Sequence, residues 1–492
     1  MSAQLALLIF SAGIAGLFYL DRDRSVRTSG ALWLPVIWIS IAGSRPVTSW
    51  LGMQDTSGGN IGATLDGSPI DAAIFEVLII AGLIVLYKRR NRAIAVLKAS
   101  SPVLIYFLYC LASTAWSPIH GPAFKRWMKA VGDLVMVLIL VTEIDPIASL
   151  RKLYSRVGFI LLPISIPLIR WTSLGVTYDE FGPSNIGVTT NKNALGLIVF
   201  VISLGALWNM RALLLDRKAP NRARRLMAQG TLLLFGVLLF QMAHCATGIA
   251  CFVLGAGLML ATGLQAIKKR PARVHALCIG IILVGAITLL FGGESLVTGA
   301  LGRRADMGRT DIWKASISAA DNPVFGTGFE SFWNTNVDKV AAQLHGYWGP
   351  MVQNLVSAHN GYIEVYLDLG WVGVCLIALI LISGYRHAVS CFRRDPQFGS
   401  LLLTYVATSA FYSISEVGFR ILTPSWIFLL LAVVSAYGFS AGLMGGKKPS
   451  ISPSQSQPAS GPLVMNGRIP ESCGESLLAG ARGVVRRADT HP

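Results

Sequence analysis

The sequence predicts an all-α polytopic membrane protein with about 12–13 transmembrane helices. Three observations lead there. Of 492 residues, 53% are hydrophobic and only 14% charged, with a mean hydropathy of +0.57; a soluble chain carries about 25% charged residues. The apolar runs recur from Leu5 to about Leu443, leaving little room for a separate soluble domain. The basic residues behind the net charge of +17 stand in short clusters between those runs. That is the distribution of a membrane protein with positive loops inside, not of a nucleic-acid-binding surface.

A helix needs about 20 apolar residues to cross the hydrocarbon core. Read with that ruler, the chain gives thirteen spans: 3–20, 31–50, 70–87, 101–116, 128–142, 153–171, 193–210, 226–243, 247–267, 275–292, 360–384, 400–416 and 424–443. The first lacks a basic n-region and a cleavage site, so Leu5–Leu20 reads as a retained helix and not a signal peptide. The weakest is 128–142, which is short and follows Lys125, Arg126 and Lys129. With the N-terminus outside, six alternate loops hold 24 basic residues and the intervening loops hold 12. The bias keeps its sign at every step, which supports both the count and the orientation.

Residues 1–443 are thus expected to form one transmembrane domain. Within it, 293–358 is a long outer loop, too polar to span and rich in aromatics such as Trp313, Phe329, Phe332 and Trp333, which favour packing against the bundle. Residues 444–492, rich in Gly, Ser, Pro and Gln, are expected to be a disordered cytoplasmic tail. The seven cysteines show no metal-ligand spacing and read as small packing residues. Cys391 and Cys473 fall on the inner side, where thiols stay reduced.

Three polar features carry chemistry. Ser357-Ala358-His359-Asn360-Gly361-Tyr362-Ile363-Glu364 lies where the long loop meets an apolar helix. If Asn360 caps that helix, His359 sits at its N-terminus. Backbone N–H groups and the dipole there favour an anion, and an imidazole is a base near neutral pH. The plain alternative is an interfacial histidine without a role. Gly308-Arg309-Thr310-Asp311-Ile312-Trp313 starts a short helix ending near Asn322-Pro323, and Gly326-Thr327-Gly328 follows. An arginine offers bidentate geometry to a phosphate, and the Gly-x-Gly turn would let backbone approach a ligand. A salt bridge or headgroup contact is the alternative for Arg309. Finally, Arg45, Lys125, Arg126, Lys129, Arg170, Lys192 and Arg420 lie on the outer side, against the charge bias. Together they suggest an anionic substrate near the outer leaflet; singly, each reads as snorkelling to headgroups. Outer carboxylates are few, no Asp-x-Asp stands in an outer loop, and no metal pattern is present, which disfavours a metal-dependent glycosyltransferase. Glu416 precedes Arg420 by four residues, a spacing that pairs charges on a helix.

These residues resemble a family. His359-Asn360 with Tyr362, Glu364, Gly370 and Gly373, preceded by Gly308-Arg309, Trp313, Pro323 and Gly326-Thr327-Gly328, looks like the O-antigen ligase and O-antigen polymerase superfamily. Upstream, Arg27-Thr28-Ser29, Ala42-Gly43-Ser44-Arg45-Pro46, Trp116-Ser117-Pro118, Arg126 and Asn191-Lys192-Asn193 resemble its exopolysaccharide-production branch. The resemblance runs from about residue 20 to 440. It implies a metal-independent, inverting glycosyltransferase of the polytopic GT-C type in the bacterial inner (cytoplasmic) membrane, without a cofactor and with its active site facing the periplasm. Its donor would be an undecaprenyl-pyrophosphate-linked oligosaccharide. A polymerase passes the glycan to an acceptor glycan hydroxyl, with a chain-length regulator and export proteins as partners; a ligase passes it to a lipid core. By carry-over His359 acts on the acceptor hydroxyl and Arg309 holds the pyrophosphate. Arg45, Arg126, Lys192, Asn193, Asn360, Glu364 and Arg420 are the expected substrate-binding set. One departure stands out. Where many ligases carry Ser-Arg, this chain reads Met242-Ala243-His244-Cys245-Ala246. His244 reads as a packed interfacial histidine or a substitute for the absent arginine. A transporter of lipid-linked glycans would use the same cations to line a pathway, but internal repeats expected of a carrier are not evident.

Overall fold

The computed structural model describes residues 2–23, 26, 28–53, 67–179, 182–268, 271–290, 309–348 and 355–444. The proposed tail beyond Met444 and the loop segments 291–308 and 349–354 lie outside the described residues. The expected all-α polytopic class is what the chain adopts; the strands β1 (Val176–Asp179) and β2 (Gly182–Asn185) form one small antiparallel hairpin.

A helix covers each apolar run. α1 is Ala3–Leu20, and α2 is Trp33–Ala42 after a single tight turn over Gly30–Leu32. α2 stops at Gly43, so the run expected as 31–50 is cut short. Pro46 cannot continue a helix and biases Arg45 away from helical geometry. α3 (Pro69–Lys88) is capped by Ser68, which accepts from Asp71 N. The basic stretch after it forms a helix, α4 (Arg90–Ala99), set at 90° to α5 (Ser101–Ser113). α6 (His120–Val141) begins eight residues before the expected span, so Lys125, Arg126 and Lys129 lie on the helix itself. Then come α7 (Pro146–Trp171), α8 (Lys192–Leu215), α9 (Arg222–Ala243), α10 (Ala246–Ala261) and α11 (Pro271–Leu290). The long loop contains α12 (Arg309–Ser318) and α13 (Val337–Trp348); α14 (Gly361–Arg394), α15 (Pro396–Ser415) and α16 (Pro424–Ser440) follow. Among the described residues seven helices are long and apolar enough to cross a membrane (α1, α3, α7, α8, α9, α14 and α15), and the bent pair α4–α5 makes an eighth.

α15 and α16 are the buried centre of the bundle. α14, α10 and α8 pack on α15, and α14 and α6 on α16. α14 and α15 are antiparallel and meet at both ends. Asp395 closes α14 and caps α15 at one end. At the other, Gly361 N donates to Glu416 O at 3.0 Å and Asn360 Nδ2 to Ile414 O at 2.9 Å. Yet α14 is 34 residues long and α15 only 20. At 1.5 Å per residue, α15 rises about 30 Å, and the part of α14 after Gly370 already covers about 36 Å. The part before Gly370 therefore adds little along the axis and lies across the bundle.

Gly370 makes this possible, with φ 63° and ψ −166° inside the helix. The break frees backbone groups, and the long loop takes them up. Thr327 N and Gly328 N donate to Leu367 O and Asp368 O at 3.0 and 2.8 Å; Trp371 N and Val372 N donate to Pro323 O and Val324 O at 2.9 and 3.2 Å. The approach is so close that a Cβ on Gly326 would lie 2.3 Å from Asp368 C. The Gly-x-Gly turn thus lets backbone reach α14, where the sequence suggested a ligand. The rest of the loop has a small core of its own, with Ile312, Trp333, Val340 and Leu344 packed around Ala358 and Leu367.

Candidate functional site

Two elements deliver the leading residues to one place. Arg309 is the first residue of α12. His359 immediately precedes the cap of α14 and is held at φ 50°. Arg309 Nη2 donates to Glu416 Oε1 at 3.0 Å, and His359 Nδ1 lies 3.3 Å from Glu416 Oε2. Asn193, in the first turn of α8, donates from Nδ2 to Glu416 Oε1 at 3.1 Å. One carboxylate therefore gathers the starts of α8, α12 and α14 onto the end of α15. Glu416 itself has left the helix, at φ −146° and ψ 167°, with its N–H still bonded to Tyr412 O. Its side chain is 7% exposed and that of His359 is 40% exposed, so the imidazole forms the open wall of the cluster. Lys192 precedes Asn193, and with Glu416 and Arg309 it lies within electrostatic reach of Cys245. Burial pushes the Cys245 thiol up to about 11.

The cap of α14 differs from expectation. Asn360 does cap the helix, its Oδ1 accepting from Tyr362 N and Ile363 N at 3.0 and 3.1 Å. Gly361 N is taken by Glu416 O. The N–H groups expected to receive a substrate anion are therefore occupied. What remains at this helix start is the dipole and the side chains.

Glu416 and Arg420 do not pair. α15 ends at Ser415, so the two stand on irregular backbone and helical spacing does not apply. Arg420 turns to Glu364 Oε2 at 3.1 Å and Glu330 Oε2 at 3.4 Å. Glu364 also accepts from Ala358 N at 2.5 Å and Trp333 Nε1 at 2.9 Å, while Asp368 accepts from Ser331 N and Phe332 N at 2.9 and 3.0 Å. Burial opposes the charge on Arg420, but Glu364, Glu330 and Asp368 outweigh it and raise its pKa above the ordinary arginine value. Glu364 and Arg420, expected to bind substrate, pair with each other, and Glu364 also holds the residue before His359, so the pair forms a buttress behind it.

Two further expected substrate residues are also turned inward. Arg45 donates to the carbonyls of Leu174, Gly187, Val188 and Thr189 at 2.7–3.3 Å and stacks over Trp50 at 4.9 Å. It holds the segment leading into Lys192. Arg126 is fully buried and donates to Glu330 O and to Asn334 Oδ1. Desolvating either guanidinium is tolerable because carbonyl oxygens complete its shell. His244 is exposed and ends α9 at φ 49°, so it is not the packed histidine expected. Sequence reasoning missed the hub role of Glu416; an acid at the end of an apolar span is costly, and that was its signal. In sequence Trp333 reads only as an aromatic that packs the loop and Glu330 only as an outer carboxylate, and Asp368 gives no comparable signal.

Among the described residues, no three His, Cys, Asp or Glu side chains are grouped to hold a metal ion. The bundle and its clustered charges define a multi-pass membrane protein with a polar site at one end. Residues 230–378 match the O-antigen ligase family (Wzy_C), a stretch that contains Arg309 and His359 and stops before Glu416. The chain is thus similar to membrane glycan-processing proteins of the O-antigen ligase and exopolysaccharide-production type. It is similar to the exopolysaccharide production protein ExoQ of Rhizobium meliloti (strain 1021), at 24% identity over 333 residues, covering 65% of this chain and 73% of that protein. The resemblance drawn from the sequence, including its exopolysaccharide branch, is borne out.

Proposed function

We propose that the chain is a polysaccharide polymerase of the inner membrane. It transfers an oligosaccharide repeat from undecaprenyl pyrophosphate to an acceptor glycan hydroxyl at the periplasmic face. The observation that carries this reading is that Arg309 and His359, the two groups the chemistry needs, meet on one carboxylate at the end of the bundle that the charge bias assigns to the outside.

In the proposed step the acceptor oxygen attacks the anomeric carbon. The O–C bond forms as the C–O bond to the diphosphate breaks, inverting that carbon, and the electron pair leaves with the lipid diphosphate. The hydroxyl proton goes to His359 and from there to solvent. A diphosphate is a good leaving group and needs charge neutralisation more than protonation. The remaining donors of Arg309, with Lys192, supply positive charge without requiring a metal. Both reactants are lipid-tethered, which favours their encounter. A chain-length regulator and export proteins are the partners we propose.

The family match favours a second reading, a ligase that delivers the glycan to a lipid core. Chain length and product separate the two. In cells carrying His359→Ala or Arg309→Ala, a polymerase accumulates single repeats and makes no long chains; a ligase leaves long chains on the carrier lipid. Normal product in both variants would defeat both readings.

A further inference from the structure

Nothing in the family match reaches Glu416, which lies beyond residue 378. We infer that Glu416 is a positioning residue for the transfer: it fixes which nitrogen of His359 is the base. The inference rests on the polymerase or ligase reading of the site and deepens it.

The argument is geometric. Glu416 Oε2 faces Nδ1 of His359 at 3.3 Å, so a neutral imidazole carries its proton on Nδ1 and donates it to the carboxylate. That leaves Nε2 as the acceptor on a side chain that is 40% exposed. An imidazole with a carboxylate behind one nitrogen is held in one ring orientation and one tautomer, and its protonated form is stabilised when it takes a proton. The carboxylate cannot drift, since Arg309 and Asn193 hold its other oxygen and its backbone is bonded to Tyr412 and Gly361. Left-handed backbone at His359 constrains the histidine further. Other charged or titratable groups near the pair are Arg309 from α12, Lys192 from α8, Tyr412 from α15 and Cys245. The Glu364–Arg420 pair stands behind Ala358. Among the described residues, only Glu416 places a carboxylate against the ring.

The test uses full-length protein in proteoliposomes, a synthetic undecaprenyl-diphosphate repeat as donor, and Glu416→Gln, Glu416→Asp and His359→Ala. In the Gln variant the amide oxygen still serves Arg309 and Asn193, while its NH2 faces Nδ1 and forces the proton onto Nε2. We expect kcat to fall about 100-fold with donor KM within about threefold. Glu416→Asp keeps a carboxylate against the ring and should lose only about tenfold in kcat from the shorter reach; it carries the test if the Gln variant fails to insert. A Gln variant with wild-type kcat, or an Asp variant no better than the Gln one, beside an inactive His359→Ala, overturns the role of Glu416 alone. An active His359→Ala overturns the reading of the site itself.

Discussion

At the scale of single residues, the site is a chain of charges in which each member holds the next. His359 leans on Glu416, Glu416 on Arg309 and Asn193, and the residue before His359 on Glu364, Trp333 and Arg420. Removing Arg420 leaves Glu330, Glu364 and Asp368 without their common cation. Arg420→Ala should therefore cost about 3–5 kcal/mol in detergent-solubilised stability, read as a lowered thermal midpoint. Trp333→Phe keeps the ring but loses the donor to Glu364 and should cost about 1–3 kcal/mol; equal stability to wild type would show that bond to be idle. His359 and Arg309 could be picked out in sequence because each sits in a polar motif beside an apolar run. Glu416 could be singled out as an acid ending an apolar span, but not as their partner, since it lies 57 and 107 residues away and reaches them only through the fold. Arg45 and Arg126, expected to bind substrate, stand against carbonyl oxygens in the fold. A cation near the outer end of a span looks the same in sequence whether it faces a substrate or a ring of carbonyls.

At the scale of elements, the decisive feature is the break in α14. Gly370 turns the helix start across the bundle, and the loop segment from Pro323 to Gly328 seals the open backbone. A Cβ on Gly370 would lie 2.2 Å from Val324 C, on a backbone that L-residues avoid. Gly370→Ala is therefore expected to cost more than about 1–3 kcal/mol and to loosen the loop, seen as faster proteolysis between α12 and α14. Unchanged proteolysis and activity would mean the break does not hold the loop. The apolar period announced the spans, but neither this break nor the length of α6 is written in it. A glycine inside an apolar run is common in membrane helices, and the role of Gly370 depends on a loop that must fold over it.

At the scale of the whole molecule, the apolar runs are helical, as hydrocarbon demands of backbone groups, but among the described residues only seven helices, or eight with the bent pair α4–α5, are long and apolar enough to cross a membrane, against the thirteen expected. Their ends were less legible, since Pro46 and the basic stretch of α4 redirect the chain at the interface. The basic-residue bias also gives a sidedness. Ile144 (75% exposed) and Tyr178 (82% exposed) flank opposite ends of α7. In a chain without native cysteines, Tyr178→Cys should react with an impermeant maleimide in spheroplasts, and Ile144→Cys only after lysis; the reverse pattern would invert the molecule and remove the site from the periplasmic face.

The most direct test of the account is chain growth by purified protein in proteoliposomes given the lipid-linked repeat and no other protein. We expect a ladder of lengthening glycans from the wild type, none from His359→Ala or Arg309→Ala, and the double variant no worse than either single, because the two act as one unit. A ladder from either single variant, with wild-type rate and length, would contradict it.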